Sequence, residues 1–145
     1  MGRQEVGVRA NLAADSDSYK IATLGSHSAL QILKGAQLEG FRTIAICEKG
    51  REEPYKSFKV ADEIILVNKF VELLDIQEQL IQENAIIIPH ATFIDVFGKK
   101  IIDELKVPYF GNKKILGWEA DRKKQREWLK RAGLILPKIF DKPEE

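Results

Sequence analysis

The sequence has one cysteine, one methionine and two histidines. A lone cysteine, Cys47, excludes an intramolecular disulfide framework. Its apolar neighbours suit a buried small hydrophobe. Two histidines and one cysteine, without an HExxH or CxxC spacing, do not make a metal centre. There is no G-x-G-x-x-G fingerprint and no Walker A loop, and no G-x-S-x-G elbow to expose a nucleophilic serine. An excess of either charge is lacking too. The formal net charge is +1, so no bulk field favours a nucleic acid or an anionic membrane. No apolar run approaches the roughly 20 residues of a membrane span. The first residues lack the apolar segment of a signal peptide, and the expected compartment is the cytoplasm. Internal repeats and low-complexity tracts are missing as well.

What is present suits one ordinary domain: 145 residues, 44% hydrophobic and 31% charged, are enough for a real core. The organising stretch is residues 20–40, KIATLGSHSALQILKGAQLEG. Residues 21–24 are short, apolar and partly β-branched. Leu30, Leu33 and Gln37 then share one helical stripe, with Ala29, Ile32 and Ala36 beside it. The period changes from strand to helix across Gly25-Ser26-His27-Ser28. Ser26 or Ser28 is expected to cap the helix, and Gly40 stands where a left-handed residue ends it. Residues 41–47 (FRTIAIC) give the next strand and complete a βαβ unit.

In open α/β sheets ligands sit beyond the carboxyl ends of the strands, and a helix N-terminus suits an anion such as phosphate. Gly25 permits a close backbone approach, the serines offer hydroxyls, and His27 offers a ring donor. The plainer reading of the same turn is a capped helix with an exposed histidine.

Residues 1–19 are polar and aperiodic, a lead-in with a short helix at 8–14. Residues 48–59 (EKGREEPYKSFK) form a charged loop. Lys49 and Arg51 there are either solvated or turned towards a phosphate. A third strand covers 63–67. Asn68 is the expected cap of one helix reaching Glu83, with Phe70, Leu73, Leu74, Leu80 and Ile81 on its apolar face, and Asn84 closes it. Residues 85–88 are a fourth strand, apolar enough to be covered on both faces.

Pro89-His90-Ala91-Thr92 repeats the chemistry of the first turn. Thr92 is the expected cap of a helix over 93–105 with Phe93, Phe97, Ile101 and Leu105 on one stripe. His90 either faces the same ligand or closes the turn by bonding the backbone. Residues 106–111 (KVPYFG) give a fifth strand. A helical turn at 115–119 and a helix over 121–132, ending at Gly133, follow; Trp118, Trp128 and Leu129 offer their packing, and the cationic face is solvated. Residues 134–140 (LILPKIF) read as a strand with no partner, before DKPEE breaks off. The fold class is therefore α/β, a doubly wound, mostly parallel five-stranded Rossmann-like sheet. The boundaries are a lead-in at 1–19, the domain at 20–133 and a connecting segment at 134–145.

Four stretches resemble the N-terminal part of the archaeal PurP family. They are LGSHSALQILKGAQLEGFRTIAICEKGRE, PYKSFKVADEIILV, IIIPHATF and VPYFGNKKILGWEADRKKQREWLKRAGLILPK. Members of that family are formate-dependent ligases of purine (IMP) biosynthesis in the ATP-grasp superfamily. They convert AICAR monophosphate, formate and ATP to the formylated nucleotide, ADP and phosphate. The resemblance implies a pre-ATP-grasp domain in which His27 and the hydroxyl of Thr92 contact the nucleotide. The family also uses Ser at the position of Thr92. Ser26, His90 and Arg51 match motifs of the same region. ATP and magnesium are implied for the full-length enzyme, on an ATP-grasp domain that these residues do not supply. The chain alone is thus expected to be inactive, as a fragment or a shortened relative. No catalytic residue and no metal ligand is expected here; a homo-oligomer stays open. The alternatives are a stand-alone domain that binds a purine precursor without chemistry, and an interaction domain using the helix at 121–132.

Overall fold

The computed structural model describes residues 18–98, 104–113, 115, 118 and 120–140. The expected helix at 8–14, Ile101 of the 93–105 stripe, most of the 115–119 turn and residues 141–145 lie outside them.

Four strands form a wholly parallel sheet: β1 (Lys20–Leu24), β2 (Arg42–Glu48), β3 (Glu63–Val67) and β4 (Ala85–Ile87), in the order β3-β2-β1-β4. Ala22 stands opposite Ile44 on one side and Ile87 on the other. Among the described residues, α1 covers Ala29–Leu38, α2 Glu53–Ser57, α3 Gln77–Gln82, α4 Ala91–Phe97 and α5 Arg122–Arg131. A 3-10 helix covers Phe70–Leu74.

Alternation along β2 explains the two covered faces. Ile44 and Ile46 join Ala22, Leu24 and Ile87 in a cluster with Phe70, Leu73, Leu80, Phe93 and Phe97. Ala45 and Cys47 point the other way, into a second cluster with Ala29 and Leu33 of α1, Tyr55 of α2, and Val60. A sheet covered on both faces has strands that read as continuous apolar runs, as these do.

The sheet has four strands where the sequence pattern predicts five. Residues 106–111 contribute one isolated bridge, Ile87 to Tyr109. Ile87 N donates to Pro108 O at 2.8 Å and Phe110 N to Ile87 O at 2.9 Å. Pro108 has no N–H with which to extend that ladder. The expected helix from Asn68 to Glu83 is broken in two. Asn68 does not cap it; its backbone N–H and side-chain amide donate to the Glu72 carboxylate at 2.8–3.2 Å. The 3-10 helix superposes positions i and i+3, which stacks Phe70 and Leu73, both buried. Helix α3 then buries Leu80. Asn84, at φ 53°, and Gly40, at φ 86°, end their helices in the left-handed region as expected.

The loop at 48–59 contains α2, with Pro54 in its first turn, where a missing N–H costs nothing. Ser28 is the N-cap residue of α1 but its hydroxyl makes no capping bond, and neither does Ser26. Thr92 does not cap α4; the His90 ring does. Asp121 caps α5, accepting from Lys123 N and Lys124 N. Residues 134–140 are not a strand. Leu134 N donates to Leu129 O, the Arg126 guanidinium donates to Pro137 O, and Ile135 is 100% exposed. A strand needs a neighbour to take its backbone bonds, and no described residue provides one.

Candidate functional site

The chain lays down β1, β2 and β3 outward to one side, then crosses back to place β4 on the other side of β1. The order reverses between β1 and β4, which is where an open α/β sheet forms its ligand crevice. The Gly25–Ser28 turn and the turn after β4 therefore open beside each other. Three side-chain bonds tie them together. The buried Thr23 hydroxyl donates to Ile88 O at 2.8 Å. His90 Nε2 bonds Leu24 O at 2.9 Å. Ser26 Oγ and Thr92 Oγ1 are 2.7 Å apart. Thr92 N donates to His90 Nδ1 at 3.4 Å. A neutral ring that accepts at Nδ1 carries its proton on Nε2, which matches the carbonyl facing it.

Gly25 is held at the bottom of the first turn. Its N–H donates to Ile46 O at 2.7 Å. A Cβ there would lie 2.7 Å from Cys47 Sγ, 3.0 Å from the Tyr55 ring and 3.3 Å from Ile46 O. Only glycine lets this backbone sit so low. Tyr55 OH donates to Ser26 O at 3.3 Å, so α2 supports the turn from outside. Burial pushes the Cys47 thiol up to about 11. It stays protonated near neutrality, and a protonated thiol is not a nucleophile.

Gly25, Ser26, His27, Gly50, Arg51 and Pro54 line an open depression of about 360 Å³. His27 is exposed, with Nδ1 3.4 Å from Ser26 Oγ. The Arg51 side chain is 67% exposed and only loosely paired, at 3.7 Å, with Glu48. Glu52 accepts from Gly50 N at 2.8 Å and so secures the bend that presents Arg51. Hydrogen bonds from its own backbone N–H and from Gly50 hold the Glu52 carboxyl below the usual range. Among the described lining residues none is acidic, so the depression suits an anion. Lys49 is directed elsewhere: its ammonium donates to Asn68 Oδ1 at 2.9 Å. A larger apolar hollow of about 570 Å³, between Leu30, Lys34, Leu38 and Phe58, lies away from the switch point.

The structure thus brings Ser26, His27 and Arg51 around one depression and bonds Thr92 to it through Ser26. His90 is at the junction but both its ring nitrogens are engaged within the chain. Thr23 and Tyr55 escaped the sequence reading. A hydroxyl in the middle of an apolar strand, and a tyrosine beside a proline in a charged loop, were the available signals. No group of three or more His, Cys, Asp or Glu side chains stands together among the described residues. No helix among them is long and apolar enough to cross a membrane.

Residues 21–140 match the family model described as a protein of unknown function (DUF1246). A Methanopyrus kandleri protein, 5-formaminoimidazole-4-carboxamide-1-(beta)-D-ribofuranosyl 5'-monophosphate synthetase, is 50% identical over 134 residues, covering 90% of this chain and 37% of the relative. The synthetase of the same name from Archaeoglobus fulgidus is 48% identical over 133 residues, covering 90% and 36%. The crystal structure of an IMP biosynthesis protein PurP from Thermococcus kodakaraensis superposes with a TM-score of 0.70 at 31% identity, over 86% of this chain and 40% of that one. The chain therefore spans well under half the length of the relatives it matches.

Proposed function

Because the chain belongs to the family described as a protein of unknown function (DUF1246), we propose that it forms the substrate-nucleotide part of a formate–AICAR-phosphate ligase. Its relatives are named as synthetases of a formylated imidazole-carboxamide ribonucleotide. Such a product arises when the amine of AICAR monophosphate takes up a formyl group. The observation that carries the proposal is the crevice at the β1/β4 switch, where two strand-to-helix turns are bonded together beside a depression lined by His27 and Arg51.

Each residue has a role suited to its chemistry. Arg51, with an exposed guanidinium, pairs with the phosphate in a charge-assisted bond. The N-terminus of α1 favours the same negative charge. His27 donates from its ring to the nucleotide, and the Ser26–Thr92 hydroxyl pair bonds its polar edge. Their joint contribution is to hold and orient the amine. ATP and its metal would bind in the part of the relatives' length that this chain does not span. On this proposal the 145-residue chain binds the nucleotide and does not turn over ATP.

The test is a calorimetric titration of the whole chain with AICAR monophosphate and with the free nucleoside. The monophosphate should bind measurably and more tightly than the nucleoside. His27→Ala should lose about 1–3 kcal/mol and Thr92→Val about 0.5–1.5 kcal/mol. Arg51→Ala should narrow the gap between monophosphate and nucleoside. Equal affinities in the wild type and all three folded variants would remove the crevice from consideration.

A further inference from the structure

Both ring nitrogens of His90 are committed to the backbone, yet the ring sits between the two turns that make the crevice. Nε2 bonds the last carbonyl of β1, Leu24 O, at 2.9 Å. Nδ1 accepts the amide of Thr92 at 3.4 Å and caps α4. The ring stands edge-on to Phe93 with centroids 5.6 Å apart. Phe93 is fully buried, so the core itself sets the ring plane. One bond thus holds the strand end from which the Gly25 turn starts. The other holds the residue whose hydroxyl meets Ser26 at 2.7 Å.

We propose that His90 is a positioning residue for the nucleotide site: as the Nε2–H tautomer it clasps the end of β1 to the start of α4, and thereby sets the Ser26–Thr92 hydroxyl pair. This rests on the nucleotide reading of the crevice. It differs from direct contact, because a ring with both nitrogens engaged has nothing left to offer a ligand. The two tasks also need opposite chemistry, an acceptor at one edge and a donor at the other. A neutral imidazole presents both on diverging directions. Asparagine retains the capping acceptor and loses the reach to Leu24. Alanine loses both.

Two measurements on the full chain test it. In the first, nitrogen-15 spectra of the histidine rings are recorded with and without AICAR monophosphate. His90 should show the Nε2–H tautomer and stay unmoved by the nucleotide, while the His27 signals shift. In the second, His90→Ala and His90→Asn are titrated with the same nucleotide. His90→Ala should bind about ten-fold more weakly or worse, because a site loosened at its support loses affinity without losing a contact. His90→Asn should recover part of that loss. An Nδ1–H tautomer, ring signals that move with the nucleotide, or an alanine variant that binds as the wild type does would each overturn the role. If His90→Ala does not fold, the ring spectra of the wild type and the asparagine titration decide. A wild type that fails to bind sinks the nucleotide reading and this role with it. A wild type that binds beside an equally competent alanine variant sinks this role alone.

Discussion

Gly25 carries the tightest steric constraint in the crevice. The shortfall is clear from the distances: a methyl group would sit 2.7 Å from Cys47 Sγ and 3.0 Å from the Tyr55 ring. Cys47 is fully buried and Tyr55 nearly so, and neither has slack to retreat. Gly25→Ala should therefore destabilise the fold by about 1–3 kcal/mol, the range for overpacking a filled core, and weaken nucleotide binding as well. Urea unfolding monitored by circular dichroism checks the first effect; an unchanged midpoint would mean that the turn relaxes. At this scale residue types were legible and partners were not. Gly25, Ser26, His27 and Thr92 stand out as turn chemistry between apolar runs. Nothing in the string tells that the hydroxyl of Ser26 meets Thr92, 66 positions later, rather than the first turn of its own helix. The same holds for His90, whose two readings are separated only by the Leu24 carbonyl that faces its ring.

Elements were legible where one pattern acted alone. The strands of the sheet and α1 follow from runs and periods that no neighbour overrides. The helix expected over 68–83 did not survive, because Phe70 and Leu73 bury best in a 3-10 turn while Glu72 is drawn back to Asn68. The fifth strand shrank to one bridge because its ladder meets Pro108. Helix α5 is a different case: the expected span 121–132 ends at Gly133, at φ 78°, as the sequence predicts, and its first residue proves to be the Asp121 cap of a helix over Arg122–Arg131. Local signals suffice there since no α5 residue is buried. That has an energetic consequence. A helix without buried residues opens independently of the sheet. Asp121→Ala should lower helix content and speed amide exchange across α5 while the global unfolding midpoint stays put. Hydrogen exchange followed by NMR, beside a urea titration, distinguishes the two. A midpoint that falls with the cap would mean that α5 is coupled to the core.

Among the described residues, the ion pairs of Lys20, Arg42, Glu63 and Glu83 stand at one rim of the sheet and the crevice at the other. At the rim where the strands begin, Lys20 bonds Glu63 at 2.7 Å and Glu83 at 2.9 Å. Those bonds raise the Lys20 ammonium above its ordinary range. Hydrogen bonds from Gln79 and then Lys20 hold the Glu83 carboxyl below its own. The Glu83 contribution is complete above the ordinary carboxylate value and is lost as pH falls through the lowered one. The alkaline side is governed by a different face. Cys47, buried under α1 and α2, is pushed from 9.0 to about 11, chiefly by burial and then by the Glu52 charge. Between those values the unfolded chain releases the thiol proton and the folded chain keeps it. The unfolded state then binds fewer protons, so stability falls as pH rises. The loss is at most about 2–3 kcal/mol by the top of that window, because each pH step of one between the two values removes roughly 1.4 kcal/mol. Tyr55, held above its ordinary value by burial and then by the Cys47 charge, adds its own loss above 10.0, and Lys20 adds one above 10.5. Cys47→Ala should flatten the decline between about pH 9 and 10, and below that window its effect on stability should be the same at every pH. Urea unfolding of both proteins at about pH 8, 9 and 10 under reducing conditions measures this directly. Parallel declines would assign the alkaline loss to groups other than the buried thiol.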